Sequence, residues 1–539
     1  MQMFHSQRAT TRPLDSTSPA HSDQLPMVQS TSTANRLSWR IAPLILAILC
    51  GLAAYSDSFR GPFIFDDIES IVKNPHVNRS AGHADASAPT TLSGRPILRA
   101  TFVLDYAIVG MHVEIYHVTN LLIHLTAGAV LFGIVRRNLA NTRFWGNRFV
   151  HAAPWLAGAV SAVWLVHPLN TEAVTYIVQR AESLAGLFYL LVIYFLIRNW
   201  KFAAVAVCAL GLGTKEIVAT APLLALLYDR TFIAGSFTTA LKSRAWLYLG
   251  LAATSIIPAF GIFTGSRSRS IGNLSPLAYA QTQLGVIAHY IALIFWPQNL
   301  VLDYYDWPIT HSLNLPAIFV AILILLTLLI LWLRPRLGFL GTWFFLILAP
   351  SSSFLPIFTE IAAEHRMYLP LIAPVVLLVV GGWVILSRTL AGAWAAAFLL
   401  TIILAALAAR TFLRNAEYQD PQTIWADNVQ QRPNNPRAHF NLGYTLMRSG
   451  AAADAAPQFR QALDLAPDYY AAAAALGRAL IESGHPADAE TFYTDEISAF
   501  PGFAPEAHLQ RGRLRFARGD ASGAEEDFQA VRHSAGNNP

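Results

Sequence analysis

Between residue 41 and about residue 413 the chain repeats one pattern, an apolar run of 12 to 24 residues followed by a short polar stretch. Eleven such runs are present, the first near 41–56 and the last near 390–413, and they are long enough to read as helices that bury themselves in a bilayer. Several fall short of the roughly 20 residues that cross a bilayer, which softens their boundaries but not their nature. Charge is scarce to match: Asp, Glu, Lys and Arg make up 13% of the 539 residues, against about 25% in soluble domains. The deficit is local. Residues before Trp39 are polar and rich in Ser, Thr and Pro, and from about Asn415 the composition becomes ordinary again. This divides the chain into a disordered cytoplasmic tail (1–38), a membrane region (39–414), a linker (415–434) and a soluble C-terminal domain (435–539).

The formal charge of +5 does not point to nucleic acid, because Arg and Lys sit in small groups between apolar runs. Cys50 and Cys208 both lie inside such runs, which excludes a disulfide framework or a thiolate metal site. With a cytoplasmic N-terminus, Arg36 and Arg40, then Arg136, Arg137, Arg143 and Arg148, then Arg198 and Lys201, then Arg230, Lys242 and Arg244 all fall inside. Arg334 and Arg336 join them only if Gln281–Pro297 does not fully cross, so 265–314 is expected to be one outer segment with a re-entrant or interfacial run. About eleven spans follow, with the C-terminal domain outside the cytoplasmic (inner) membrane.

The polar chemistry then gathers on the outer side. The first outer loop carries Asp66-Asp67 after Phe63-Ile64-Phe65. Adjacent carboxylates at a membrane edge can bind a divalent cation, or one can act as a general base with its pKa raised by the other; a plain turn accounts for the same residues. The second loop, His167 to Ser183, carries His167, Glu172 and Arg180, a set suited to a phosphate-bearing ligand or to a solvated salt bridge. Lys215-Glu216 interrupts two apolar runs, where charge is costly and where the positive-inside rule would not choose Lys. Glu364-His365-Arg366 adds another outer cation. Convergence on one face argues for an active site, since scattered structural charges have no reason to choose a side.

The C-terminal domain repeats. Leu442-Gly443, Gly450, Ala455 and Pro467 recur 34 residues later as Leu476-Gly477, Gly484, Ala489 and Pro501, and Gly512, Gly519, Ala524 and Phe528 follow one residue out of step. That is the tetratricopeptide (TPR) period, with about three copies forming a short α-solenoid. Three repeats are near the minimum for stability, so the array is expected to lean on the membrane domain or on another copy; its role is a binding surface, for a protein acceptor, with no chemistry of its own.

Five stretches taken together, FDDIESIVKNPHV, GRPILRATFVLDYAIVGMHVEIYHVTNLLIHL, HPLNTEAVTYIVQRAESLAGLFYLL, TKEIVATAPLLALLYD and EHRMYLPL, resemble the transmembrane and tetratricopeptide repeat-containing, protein O-mannosyltransferase-like family in its bacterial form, from about residue 41 to the C-terminus. The resemblance implies an all-α chain with a polytopic GT-C-type membrane domain. It implies transfer of a mannose-like sugar from a polyprenyl-phosphate carrier to a protein hydroxyl outside the membrane. Asp66 and Asp67 match the family's acidic motif, where a carboxylate acts as general base. The sugar is transferred with inversion, and a cation, here Arg180, Lys215 or Arg366, steadies the leaving phosphate. Two other readings compete. A transporter would place ionisable groups at mid-membrane rather than at helix ends. A TPR scaffold recruiting envelope proteins would need neither the acidic pair nor the outer cations.

Overall fold

The computed structural model describes residues 33–78, 90–254, 275–353, 357, 360–500, 502 and 504–536. Most of the expected N-terminal tail and the start of the expected outer segment 265–314 lie outside the described residues. The chain divides into two compact units, Met1–Ile41 and Ala42–Pro539. In the first, the chain is helical from Thr33. No strand occurs among the described residues, as the all-α expectation requires.

The membrane region follows the apolar runs. Its main helices are α1 (Thr33–Ala54), α2 (Pro96–Val109), α3 (Val113–Leu139), α4 (Ala153–Leu165), α5 (Arg180–Ile197), α6 (Lys201–Leu212), α7 (Ala221–Asp229) and α8 (Ala245–Thr254). After these come α9 (Pro276–Phe295), α10 (Leu315–Leu333), α11 (Pro335–Leu348), α12 (Ile372–Leu386) and α13 (Leu390–Glu417). Several starts are written in the sequence as caps: Ser275, Asn314 and Thr389 each accept a first-turn N–H. The helices α10 and α13 leave most of their Leu, Ile and Phe side chains exposed, as lipid-facing helices do. The chain is a multi-pass membrane protein.

Side-chain bonds define two ends of the bundle. At one end Asn415 donates to Ala54 O, Thr411 to Val166 O and Asn120 to Val174 O, while His117 meets Gly61 O. At the other, Tyr228 donates to Asn138, Arg244 to Asp229 and Arg336 to Phe144 O. These are called the site end and the basic end.

The helix α9 has the length and composition of a span. It packs on α10, and several of its side chains bond the loops of the site end: Tyr279 donates to Ser351 O, Gln283 to Ile361 O, Tyr290 accepts from Ala363 N, and Ile294 O faces His167 Nε2.

The stretch 415–434, expected as a linker, is mostly helix. The helix α13 runs on to Glu417, and α14 (Pro421–Gln431) packs on α15 (Pro436–Arg448). Asp420 and Asn435 cap both starts. The helices α16 (Ala452–Leu465), α17 (Tyr470–Glu482), α18 (Pro486–Ala499), α19 (Ala504–Ala517) and α20 (Ala521–Gly536) complete three helical pairs. The repeated glycine of each first helix faces an aromatic ring of its partner: Gly443 meets Phe459, Gly477 meets Tyr493, and Gly512 meets Phe528. A Cβ at any of the three would fall within 3 Å of that ring, so the spacing records a close helix approach. Gly450, Gly484 and Gly519 turn each pair at positive φ.

Candidate active site

The turn after α1 separates the two adjacent aspartates. Phe65 sits at φ 45°, a left-handed conformation that is uncommon for a bulky residue and that clusters at functional sites. It throws Asp66 and Asp67 in different directions. Asp67 is fully buried and accepts from Ile64 N (3.0 Å) and Val178 N (2.7 Å), so both its oxygens clamp the turn onto the second loop. Burial pushes its pKa up against those two donors. Asp66 donates its backbone N–H to Tyr176 OH (2.9 Å), and no described residue hydrogen-bonds or ion-pairs its carboxylate. Burial first, then the like charges of Glu360 and Asp303, raise that carboxyl to about 6, against the opposing pull of Arg437 and His365. Of the acidic pair, Asp66 has the free oxygens and Asp67 a structural role.

Among the described residues no group of three or more His, Cys, Asp or Glu could hold a metal ion. Each Asp67 oxygen accepts one backbone N–H, so of the pair it is Asp66 whose carboxylate has no described hydrogen-bond partner.

The second and fourth outer segments meet at His365. Glu172 accepts from its backbone N–H and faces its Nδ1, each at 2.8 Å. This fixes a buried imidazole whose Nε2 has no hydrogen-bond partner and lies 3.7 Å from Glu360. Burial raises the Glu360 carboxyl, but His365, Arg366, Lys215 and Arg437 together bring it down to about 2. Arg366 donates to Ile361 O (3.0 Å) and Glu360 O, and reaches the Glu360 carboxylate at 3.7 Å. One partly exposed carboxylate therefore stands among cations from several segments.

Other expected residues are committed elsewhere. Arg180 is wholly buried, with Asp105 at 2.6 Å, Asn120 at 2.5 Å, Tyr116 O at 3.0 Å and the Phe102 ring 4.2 Å away. It ties α2, α3 and α5 together. His167 accepts from Leu169 N and faces Ile294 O, and burial lowers its pKa to about 4, so it serves as a neutral hinge between α4 and α9. Glu364 accepts from Val301 N (2.8 Å) and Tyr304 OH (2.7 Å), and burial pushes it up to about 8. Lys215 pairs with Glu182 at 2.5 Å and Glu216 with Arg95 at 3.2 Å, so the two lie at the edge of the cluster.

Three members had no assigned role in the sequence. His365 stood in a motif read for its neighbours, and Glu360 carries no local signal. Arg437 belongs to the repeat helix α15, where chemistry was not expected. It donates to Asp303 through Nε at 2.9 Å, and its guanidinium lies 5.3 Å from the Phe65 ring and 4.7 Å from that of Tyr305. Asn428 and Asn435 bond the same Asp303 loop. The array leans on the membrane region: its first helices form part of the wall around Asp66.

Comparison with known proteins agrees with this architecture. Two tetratricopeptide-repeat models match, one over residues 446–495 and the other over 406–470 and 474–539. The chain is similar to the protein O-mannosyl-transferase F38B6.6 of Caenorhabditis elegans, 26% identical over 80% of this chain and 63% of the relative. It is similar to the protein O-mannosyl-transferase TMTC1 of Homo sapiens, 26% identical over 80% of this chain and 56% of the relative. The mouse TMTC1 protein is 32% identical over 27% of this chain and 16% of its own length. The chain spans about three fifths of the length of the first two relatives. No solved structure matches. Over four fifths of its length the chain is thus similar to named protein O-mannosyl-transferases, and its C-terminal part carries tetratricopeptide repeats.

Proposed function

We propose that this protein transfers a mannose-like sugar from a polyprenyl-phosphate carrier to a hydroxyl of a protein acceptor, at the bundle end that carries Asp66, and that this end faces away from the cytoplasm. The observation that carries the reading is Asp66, a carboxylate that no described residue hydrogen-bonds or ion-pairs, raised to about 6 by burial and by Glu360 and Asp303, with Arg437 close by. It takes the proton of the acceptor hydroxyl as the oxygen attacks the anomeric carbon. The bond from that carbon to the carrier phosphate breaks, its electrons stay on the phosphate oxygen, and the sugar leaves with inverted configuration. The leaving phosphate gains charge. Arg366 and Arg437 supply positive field to it, and His365, held by Glu172 through Nδ1, leaves its Nε2 without a described hydrogen-bond partner beside them. Arg180 has no place in the step, because its donors are spent within the fold. The relatives' names support the transfer of mannose to protein, and the exposed apolar α10 and α13 support a lipid-borne donor within reach. The bonds of α9 to the loops of the site end support a reading with eleven crossings and with the repeats on the side of the site.

The test is transfer of labelled mannose from synthetic polyprenyl-phosphate-mannose to envelope protein by the purified full chain. Absence of transfer, with the fold intact, would leave the repeat scaffold as the better reading.

A further inference from the structure

The two best-formed cavities lie at the basic end, away from Asp66. The larger, about 570 Å³, is walled by three separate segments: Arg143 to Trp145, Arg230 to Gly235, and Leu333 to Leu337. Four arginines line it, Arg143, Arg230, Arg334 and Arg336, and no carboxylate does. None of the four makes an ion pair among the described residues.

The positive-inside rule explains why arginines occur in these loops. It does not explain why three loops bring them to one cavity. Four guanidiniums around one space repel each other. A multivalent oxyanion offsets that repulsion, since phosphate oxygens accept from guanidinium pairs. The rim supplies the rest of the chemistry. Trp332, Leu333 and Leu337 stand 57% to 77% exposed beside the arginines, at the turn between α10 and α11. They offer apolar surface to chains attached to a headgroup seated in the cavity.

We propose that this cavity binds the phosphate headgroup of an anionic membrane phospholipid from the leaflet at the basic end, clamping the loop after α3, the loop after α7 and the α10–α11 turn. Basic pockets between membrane helices are suited to such headgroups. The site is distinct from the donor site, which lies at the other end of the bundle.

The test uses the purified full chain in nanodiscs, comparing phosphatidylcholine alone with mixtures containing phosphatidylglycerol, and reads thermal stability together with lipid retained in native mass spectrometry. Phosphatidylglycerol is expected to raise Tm and to stay bound. The double variant R334Q/R336Q is expected to weaken retention about thirtyfold, from roughly two lost basic contacts. Arg388→Gln, which removes a basic residue outside the cavity, is expected to change it little. Arg143→Gln, a single change at an exposed residue of the wall, addresses the case in which losing two arginines disturbs folding. It is expected to leave the Tm of the lipid-free protein unchanged while the phosphatidylglycerol shift shrinks. Equal stabilisation by inorganic phosphate would overturn the lipid assignment. Equal losses in Arg388→Gln and the double variant would overturn the site, as would an undiminished lipid shift in Arg143→Gln.

Discussion

Arg437, the second residue of a repeat helix, holds Asp303 of the membrane region through Nε at 2.9 Å, over the ring of the strained Phe65. A cation from the repeats thus neutralises a carboxylate that otherwise bears on Asp66. Arg437→Ala is expected to leave Asp303 unpaired and to raise the Asp66 pKa, by about one unit. The acid limb of the transfer rate should move up in pH by that amount, and Arg437→Lys should restore most of the shift. Deleting the chain from Pro421 onward should abolish transfer even to a short peptide, whereas deleting 504–536 should spare it. Full peptide transfer by the longer deletion would separate the array from the site after all.

The two aspartates should fail differently. Asp66→Asn keeps the shape and removes the base, so transfer should fall about a hundred- to ten-thousand-fold with membrane insertion and Tm unchanged. In the wild-type protein the rate should rise with pH through about 6, as Asp66 loses its proton. Asp67→Asn replaces one of two backbone acceptors by a donor, and should lower stability by about 1–3 kcal/mol in the first instance. A wild-type rate with Asp66→Asn would remove the base mechanism.

Glu364 makes stability depend on pH in the unusual direction for a carboxyl. Its folded pKa, about 8, lies above its ordinary value of 4.5, so between these values the folded state binds more protons than the unfolded. Its contribution is full below 4.5 and is lost as pH rises through 8. Glu364→Gln keeps an acceptor for Val301 N–H and cannot ionise. The variant should gain Tm relative to wild type as pH rises from 6 to 9, read by scanning fluorimetry in detergent. A difference in Tm that stays flat across that range would show that Glu364 does not carry the effect.

The helix α9 should begin and end on one side of the membrane. Impermeant maleimide should reach single cysteines introduced at Asp57 and Asn299 from the same side, and one at Arg388 only from the other. Opposite labelling of Asp57 and Asn299 would make α9 a span and turn the following half of the bundle over.

Much of this was legible in residue order. Apolar runs must leave water whatever their partners, so the membrane region and its helices follow from composition and length alone. The 34-residue recurrence of Gly443 as Gly477 reports a close helix contact, because each repeat meets the same packing problem, and the structure places an aromatic ring at both positions. The gathering of Asp66, Glu172, Lys215 and Arg366 near one end was visible through alternation of helix direction. What residue order does not carry is which charge spends itself on which neighbour. Asp66 and Asp67 are equivalent as letters, and only the left-handed turn at Phe65 gives one to backbone N–H groups and leaves the other free. Arg180 reads as a phosphate ligand until Asp105, 75 positions earlier, takes its guanidinium. Glu360, His365 and Arg437 enter the site through contacts between segments far apart in the chain. Hydrophobic burial acts residue by residue and so is written locally; electrostatic pairing acts between side chains that only the folded chain brings together.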